Sequence, residues 1–90
     1  MKVRFLRSFD ESNERLENDV RQKVENSMDS LLSFFENGEK QKGLGLKKLR
    51  DPYWEIRAGI RTRVLFSLEN DILTFIVAGN HDQIRRFLRR

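Results

Sequence analysis

The sequence predicts an α+β domain with elements in the order β-α-α-β-β-β-α, in which an N-terminal helical hairpin packs on one face of an antiparallel sheet. Three observations predict it. Val20, Val24, Met28, Leu31, Leu32 and Phe35 recur at spacings of three and four, the apolar stripe of an amphipathic helix. Residues 61–68 alternate, placing Val64, Phe66 and Leu68 on one face of a strand and Arg61 and Arg63 on the other. Residues 72–78 are nearly all apolar, as in a central strand buried on both faces.

Each element has its own signals. Residues 2–8 (KVRFLRS) alternate well enough for an opening strand, with Val3 and Phe5 on one side. Ser8 and Glu11 have the spacing of a capping box, with Asp10 a competing cap, so a short helix should follow through about Leu16. Asn18 or Asp19 can start the second helix, and Asn37-Gly38 supplies the left-handed position that ends it. Residues 39–45 (EKQKGLG) form a short basic loop that does not divide domains. Asp51-Pro52 keeps the chain extended and sets a strand over 53–58. Gly59 permits the turn into 61–68, Glu69-Asn70-Asp71 makes the next hairpin turn, and Gly79-Asn80 breaks the apolar strand. Residues 83–88 can form a terminal helical turn or two.

Ninety residues suffice for one domain, 1–90, with a single modest core. The apolar fraction of 38% and mean hydropathy of −0.68 go with the absence of any run long enough to span a membrane as a helix. The first 30 residues carry charges throughout, so no signal peptide is visible. Without cysteine there are no disulfides and no thiolate metal sites, and a reducing cytoplasm is the simplest compartment. The charge is lopsided. Residues 1–39 hold 6 Lys/Arg against 9 Asp/Glu, and residues 40–90 hold 12 against 5, so −3 and +7 combine to the net +4. Such polarity suits a polyanionic partner, although a solvated charged surface would look the same.

The candidate constellation is Lys47, Lys48, Arg57, Arg61, Arg63, His81 and Arg85. Cleaving a phosphodiester requires charge stabilisation on a phosphorane-like transition state, and guanidinium forks supply it. It also requires a proton donor or acceptor near neutral pH, the natural task of an imidazole, and His81 is the only histidine. From the residues alone, a single histidine reads as a surface or partly buried structural residue. No histidine cluster or paired carboxylates have metal-ligand spacing, no glycine-rich phosphate loop precedes a helix, and no Ser/His/acid pattern stands out. Tyr53 and Trp54 alternate across a strand, so one can face the core and the other stack on an unpaired base beside the arginines, or both can serve the core.

The segment KKLRDPYWEIRAGIRTRVLF, a short acidic turn, an apolar strand and GNHDQIRRFLRR together resemble the RelE/ParE toxin family of type II toxin–antitoxin modules. The resemblance covers the whole chain. On the RelE branch it implies a ribosome-dependent endoribonuclease, an mRNA interferase that needs no metal or other cofactor and cuts by attack of the RNA 2′-hydroxyl on its own phosphate. By the same resemblance Arg57 and Arg63 would hold the scissile phosphate and His81 would transfer a proton. Lys47, Lys48, Arg61, Arg85 and Arg86 would contact RNA or the ribosome, and a cognate antitoxin protein would be the partner. Two positions depart from the pattern: Glu55 stands where some relatives carry lysine, and Phe87 lies near where they place a functional tyrosine. The ParE branch, which inhibits DNA gyrase without nuclease activity, is the alternative from another class. A decayed toxin that only binds RNA is a third.

Overall fold

In the computed structural model, which describes residues 1–89, the chain runs β1 (Lys2–Phe5), α1 (Arg7–Glu14), α2 (Asn18–Asn37), β2 (Lys47–Arg50), β3 (Tyr53–Arg57), β4 (Arg63–Glu69), β5 (Ile72–Gly79) and α3 (His81–Leu88). Arg90, the last residue of the basic C-terminal motif, lies outside the described residues. The strands form one sheet in the order β1-β5-β4-β3-β2. Four strands are antiparallel to their neighbours through β2–β5, and β1 adds to the edge of β5 in parallel. The α+β class therefore holds, with a mixed rather than purely antiparallel sheet and one strand more than the sequence pattern predicts.

That added strand is β2, Lys47–Arg50 (KKLR). It is an exposed edge of four residues, three of them cationic, so no apolar alternation announces it; lysine on an edge also discourages pairing with other chains. Its presence turns Asp51-Pro52 from the start of a strand into the turn of a hairpin, with Arg50 opposite Tyr53. The β4–β5 turn is the predicted one. Asn70 and Asp71 take φ of 55° and 61°, the left-handed pair required by a two-residue hairpin turn.

Side chains from both faces of the sheet are buried. On one face Ile56, Val64, Phe66, Leu73, Phe75 and Ala78 pack against Phe9 of α1 and Val24 and Leu31 of α2, the predicted stripe, and Phe5 stacks on Phe75 at 5.3 Å. On the other, Leu65 and Ile76 lie beneath Ile84 of α3, with Leu49, Tyr53, Val77, Phe87 and Leu88 around them. Hence the face predicted to be openly cationic is largely covered by α3, and its charge is displayed only where that cover ends. Arg61 precedes β4 and sits in the turn.

Ser8 does not cap α1. The helix starts at Arg7, whose guanidinium pairs with Glu11 at 3.2 Å, and Leu6 occupies the cap position with no side-chain bond. Ser8 Oγ instead donates to the Ile76 carbonyl at 2.6 Å, and Ser12 Oγ accepts from the Ala78 N–H at 3.0 Å. Because β1 ends at Phe5, the far half of β5 has lost its neighbour, and these two serines, one helical turn apart, satisfy it. They thereby anchor the strand end that delivers Gly79, Asn80 and His81.

Candidate functional site

Arg57 and Arg63 are directly opposite each other on β3 and β4, in line with Gly79 of β5. Directly paired residues share a face with Cβ atoms about 4.5–5.5 Å apart, so two guanidinium stems rise together at this end of the sheet. The backbone beneath them is fixed. The Arg57 N–H donates to the Leu44 carbonyl at 2.8 Å, and the Arg57 carbonyl accepts from Ser27 Oγ at 2.9 Å. Gly45, at φ +62°, lets that loop press on the strand; a Cβ there would come within 2.9 Å of Arg57 Cβ. Across the 58–62 turn, the Ala58 N–H donates to the Thr62 carbonyl at 2.8 Å.

His81 opens α3 immediately beyond β5. Asn80 caps the helix by accepting from the Gln83 N–H at 2.9 Å, while Gln83 Oε1 accepts from the Asn80 N–H at 2.7 Å, a reciprocal capping box. Gly79 leaves the space for it: a Cβ on Gly79 would lie 2.4 Å from Gln83 Oε1. The result is a shallow cleft of about 310 Å³ lined by Ile60, Arg61, Arg63, Asn80, His81 and Asp82. The partial positive charge of a helix N-terminus adds to the arginines there, and the Asp82 carboxylate partly offsets both.

Glu55, one of the departures from the family pattern, packs into this cationic face with its side chain only 7% exposed. Its Oε2 lies 3.3 Å from Arg63 Nε, an ion pair without hydrogen-bond geometry, so Oε2 makes no hydrogen bond. Arg63 is also held by its own donation to the Thr62 carbonyl at 3.3 Å. A carboxylate two residues from Arg57 and diagonal to Arg63 reduces the repulsion between the two arginines.

The structure sorts the remaining predicted residues. Lys47 lies opposite Glu55 and so shares the cationic face. Lys48 is on the reverse face, opposite Trp54, with Nζ 2.8 Å from Asp51 and 5.8 Å from the indole centre. Arg85 and Arg86 part around α3: Arg85 borders Leu49 and Arg50, whereas Arg86 borders Ser8, Glu11 and Arg15. Phe87 packs in the cluster beneath α3 and is not among the residues lining the His81 cleft. Tyr53 and Trp54 enter opposite clusters, so neither reaches the cleft. A roomier depression of about 740 Å³, between Phe5, Phe9, Asn13, Arg21 and Met28, gathers no comparable set of cations.

No family model matches the chain, and no curated protein sequence does. Solved structures do. The RelB–RelE antitoxin–toxin complex of Methanococcus jannaschii matches with a TM-score of 0.70 and 16% identity over 94% of this chain and 98% of that one. The chain has the fold of the RelE-like toxins. A copper-bound mutant toxin from Helicobacter pylori matches at TM-score 0.68 and 14% identity, covering 93% of this chain and 98% of its own. YafQ of Escherichia coli matches at 0.67 and 14%, covering 92% and 96%. The likeness extends over nearly the whole of each chain, although the side chains have diverged widely. On that scaffold, sequence reasoning overlooked the ion pair of Glu55 with Arg63 beside the cleft, and at the cleft itself the Asn80/Gln83 capping box and Asp82. The capping box had a legible signal, Asn-x-x-Gln directly after a strand. The other two depend on cross-strand register and on the helix that the cap begins.

Proposed function

We propose that this chain is the toxin of a type II toxin–antitoxin pair and that it cleaves messenger RNA on the ribosome. The observation that carries the reading is that Arg61, Arg63 and His81 line one hollow at the start of α3, with Arg57 paired directly opposite Arg63. Arg63 and His81, 18 positions apart in sequence, meet around one exposed hollow suited to a phosphate, and Arg57 adjoins it through its pairing with Arg63.

The chemistry follows from those groups. The RNA 2′-hydroxyl attacks the adjacent phosphorus as its P–O5′ bond breaks, leaving a 2′,3′-cyclic phosphate and a 5′-hydroxyl. Arg57 and Arg63 stabilise the charge gathering on the non-bridging oxygens. His81 transfers a proton, to the departing 5′-oxygen or from the attacking hydroxyl. The nucleophile is part of the substrate, so the reaction calls on no metal. Lys47, Arg61 and Arg85 contact the RNA or ribosome backbone, whereas Lys48 and Arg86 face elsewhere. Cleavage on ribosomes implies work in the cytoplasm. The partner is an antitoxin with an acidic segment that folds as it binds and masks the cationic end.

Purified protein added to a cell-free translation reaction, followed by primer extension, tests this. Cuts are expected within translated codons and should vanish when ribosomes are omitted. Intact messenger, together with gyrase–DNA cleavage complexes in a supercoiling assay, would transfer the assignment to the ParE-type inhibitor.

A further inference from the structure

Beyond the cleft, α3 borders a second basic hollow, of about 280 Å³, lined by Leu49, Arg50, Arg85, Leu88 and Arg89. It contains three arginines and no carboxylate, whereas the cleft includes Asp82. Arg50 has an internal task, donating to the Leu88 carbonyl at the end of α3 and lying 5.9 Å from the Tyr53 ring centre. Arg85 and Arg89 have none: among the described residues neither side chain makes an ion pair or a hydrogen bond. Like charges four apart on a helix repel. The helix dipole favours cations at this end, where Arg85 shares the last turn with Arg86 and Arg50 reaches the Leu88 carbonyl directly.

The spacing gives the pair a direction. His81, Arg85 and Arg89 are four residues apart and follow one flank of α3, about 6 Å of rise per step. Two guanidiniums at this spacing, with His81 of the cleft one step before them, suit the regular ladder of phosphates on a nucleic-acid strand. An acidic protein strand is the competing polyanion. It would need the β2 edge, which is four residues long, broken by a register shift between Lys48 and Arg50, and studded with cations.

We propose that this flank of α3, with Arg50 beside it, is a phosphate track for single-stranded RNA that continues from the scissile phosphate. The occupant rests on the nuclease reading above; the surface is tested without it. The probe is a fluorescein-labelled single-stranded oligouridylate, 2′-O-methylated so that it cannot be cut, and the measurement is anisotropy against salt concentration. Each single-strand phosphate contact contributes about 0.7 to the slope of log K against log salt, so Arg85→Gln with Arg89→Gln should lower the slope by about 1.4. Lys48→Gln with Arg86→Gln removes the same charge from other faces and should leave the slope unchanged. Thermal melts by circular dichroism establish that both doubles are folded.

Equal losses in the two doubles would reduce the effect to net charge and overturn the track, as would failure of the folded wild type to bind. Binding of a labelled oligoglutamate with this pattern, in place of the RNA, would assign the surface to an acidic protein and also overturn it. A protein that leaves messenger intact yet shows the selective slope loss refutes the nuclease reading and keeps the track. One that cuts messenger but shows no selective loss does the reverse.

Discussion

Arg57 and Arg63 illustrate how one cross-strand pair combines opposing demands. Directly opposed cations repel, and the arrangement persists because Glu55 takes the Nε edge of Arg63 while the Thr62 carbonyl takes another donor. The two arginines differ accordingly: Arg63 is 20% exposed and tethered, Arg57 exposed with its tethers on the backbone. If both stabilise the developing anion, Arg57→Ala and Arg63→Ala should each slow cleavage by about 10²–10³. His81→Ala should cost about 10²–10⁴ if the imidazole moves a proton in the transition state. The measurement is single-turnover cleavage on saturating ribosome complexes, which separates chemistry from binding. A His81→Ala protein that cuts at the wild-type rate would make His81 structural.

At the scale of the element, α3 has two roles, covering one face of the sheet through Ile84 and presenting His81 at its first turn. Both depend on where the helix starts, and the Asn80/Gln83 box sets that start. Asn80→Ala should destabilise the protein by about 1 kcal/mol, a fall in Tm of about 4–8 °C for a domain of this size. Gly79→Ala should reproduce the loss from the other side, since its methyl would displace Gln83 Oε1. Thermal melts measure both, and hydrogen exchange should accelerate at the Asn80 amide in Gly79→Ala and at the Gln83 amide in Asn80→Ala. Unchanged protection at these amides would mean that the cap does not hold the helix start.

Across the whole molecule, the sheet is sandwiched between α1 and α2 on one side and α3 on the other, and Phe66 and Phe75 lie fully buried on the α1/α2 side. Phe66→Ala should cost about 3–5 kcal/mol, a large share of the roughly 5–15 kcal/mol that holds a small domain folded. Urea denaturation should show the midpoint falling sharply, or the variant unfolded without denaturant. A shift below 1 kcal/mol would mean that the two-sided core tolerates a cavity at its centre.

What the sequence determined by itself was local. The three-and-four spacing from Val20 to Phe35 made a helix, the alternation after Arg63 and the apolar run after Ile72 made strands, and Asn37-Gly38 and Asn70-Asp71 set a helix end and a turn. These depend on neighbours within a few residues, as does the accumulation of positive charge after residue 40. Tertiary structure decided how that charge is distributed. Lys47 and Lys48 adjoin in sequence yet face opposite sides of the sheet, because KKLR becomes a strand through pairing with β3, which nothing in its own residues announces. Ser8, spaced to cap a helix, bonds instead to β5, where the short β1 leaves a carbonyl unpaired. Glu55 meets Arg63 only through the pairing of β3 with β4, and α3 buries Leu65 on the face that alternation left open. For Ser8, Glu55 and Leu65 the deciding energy comes from burying groups against other elements of the fold. Local pattern cannot report it, because the partner that removes the water is supplied only by the assembled sheet.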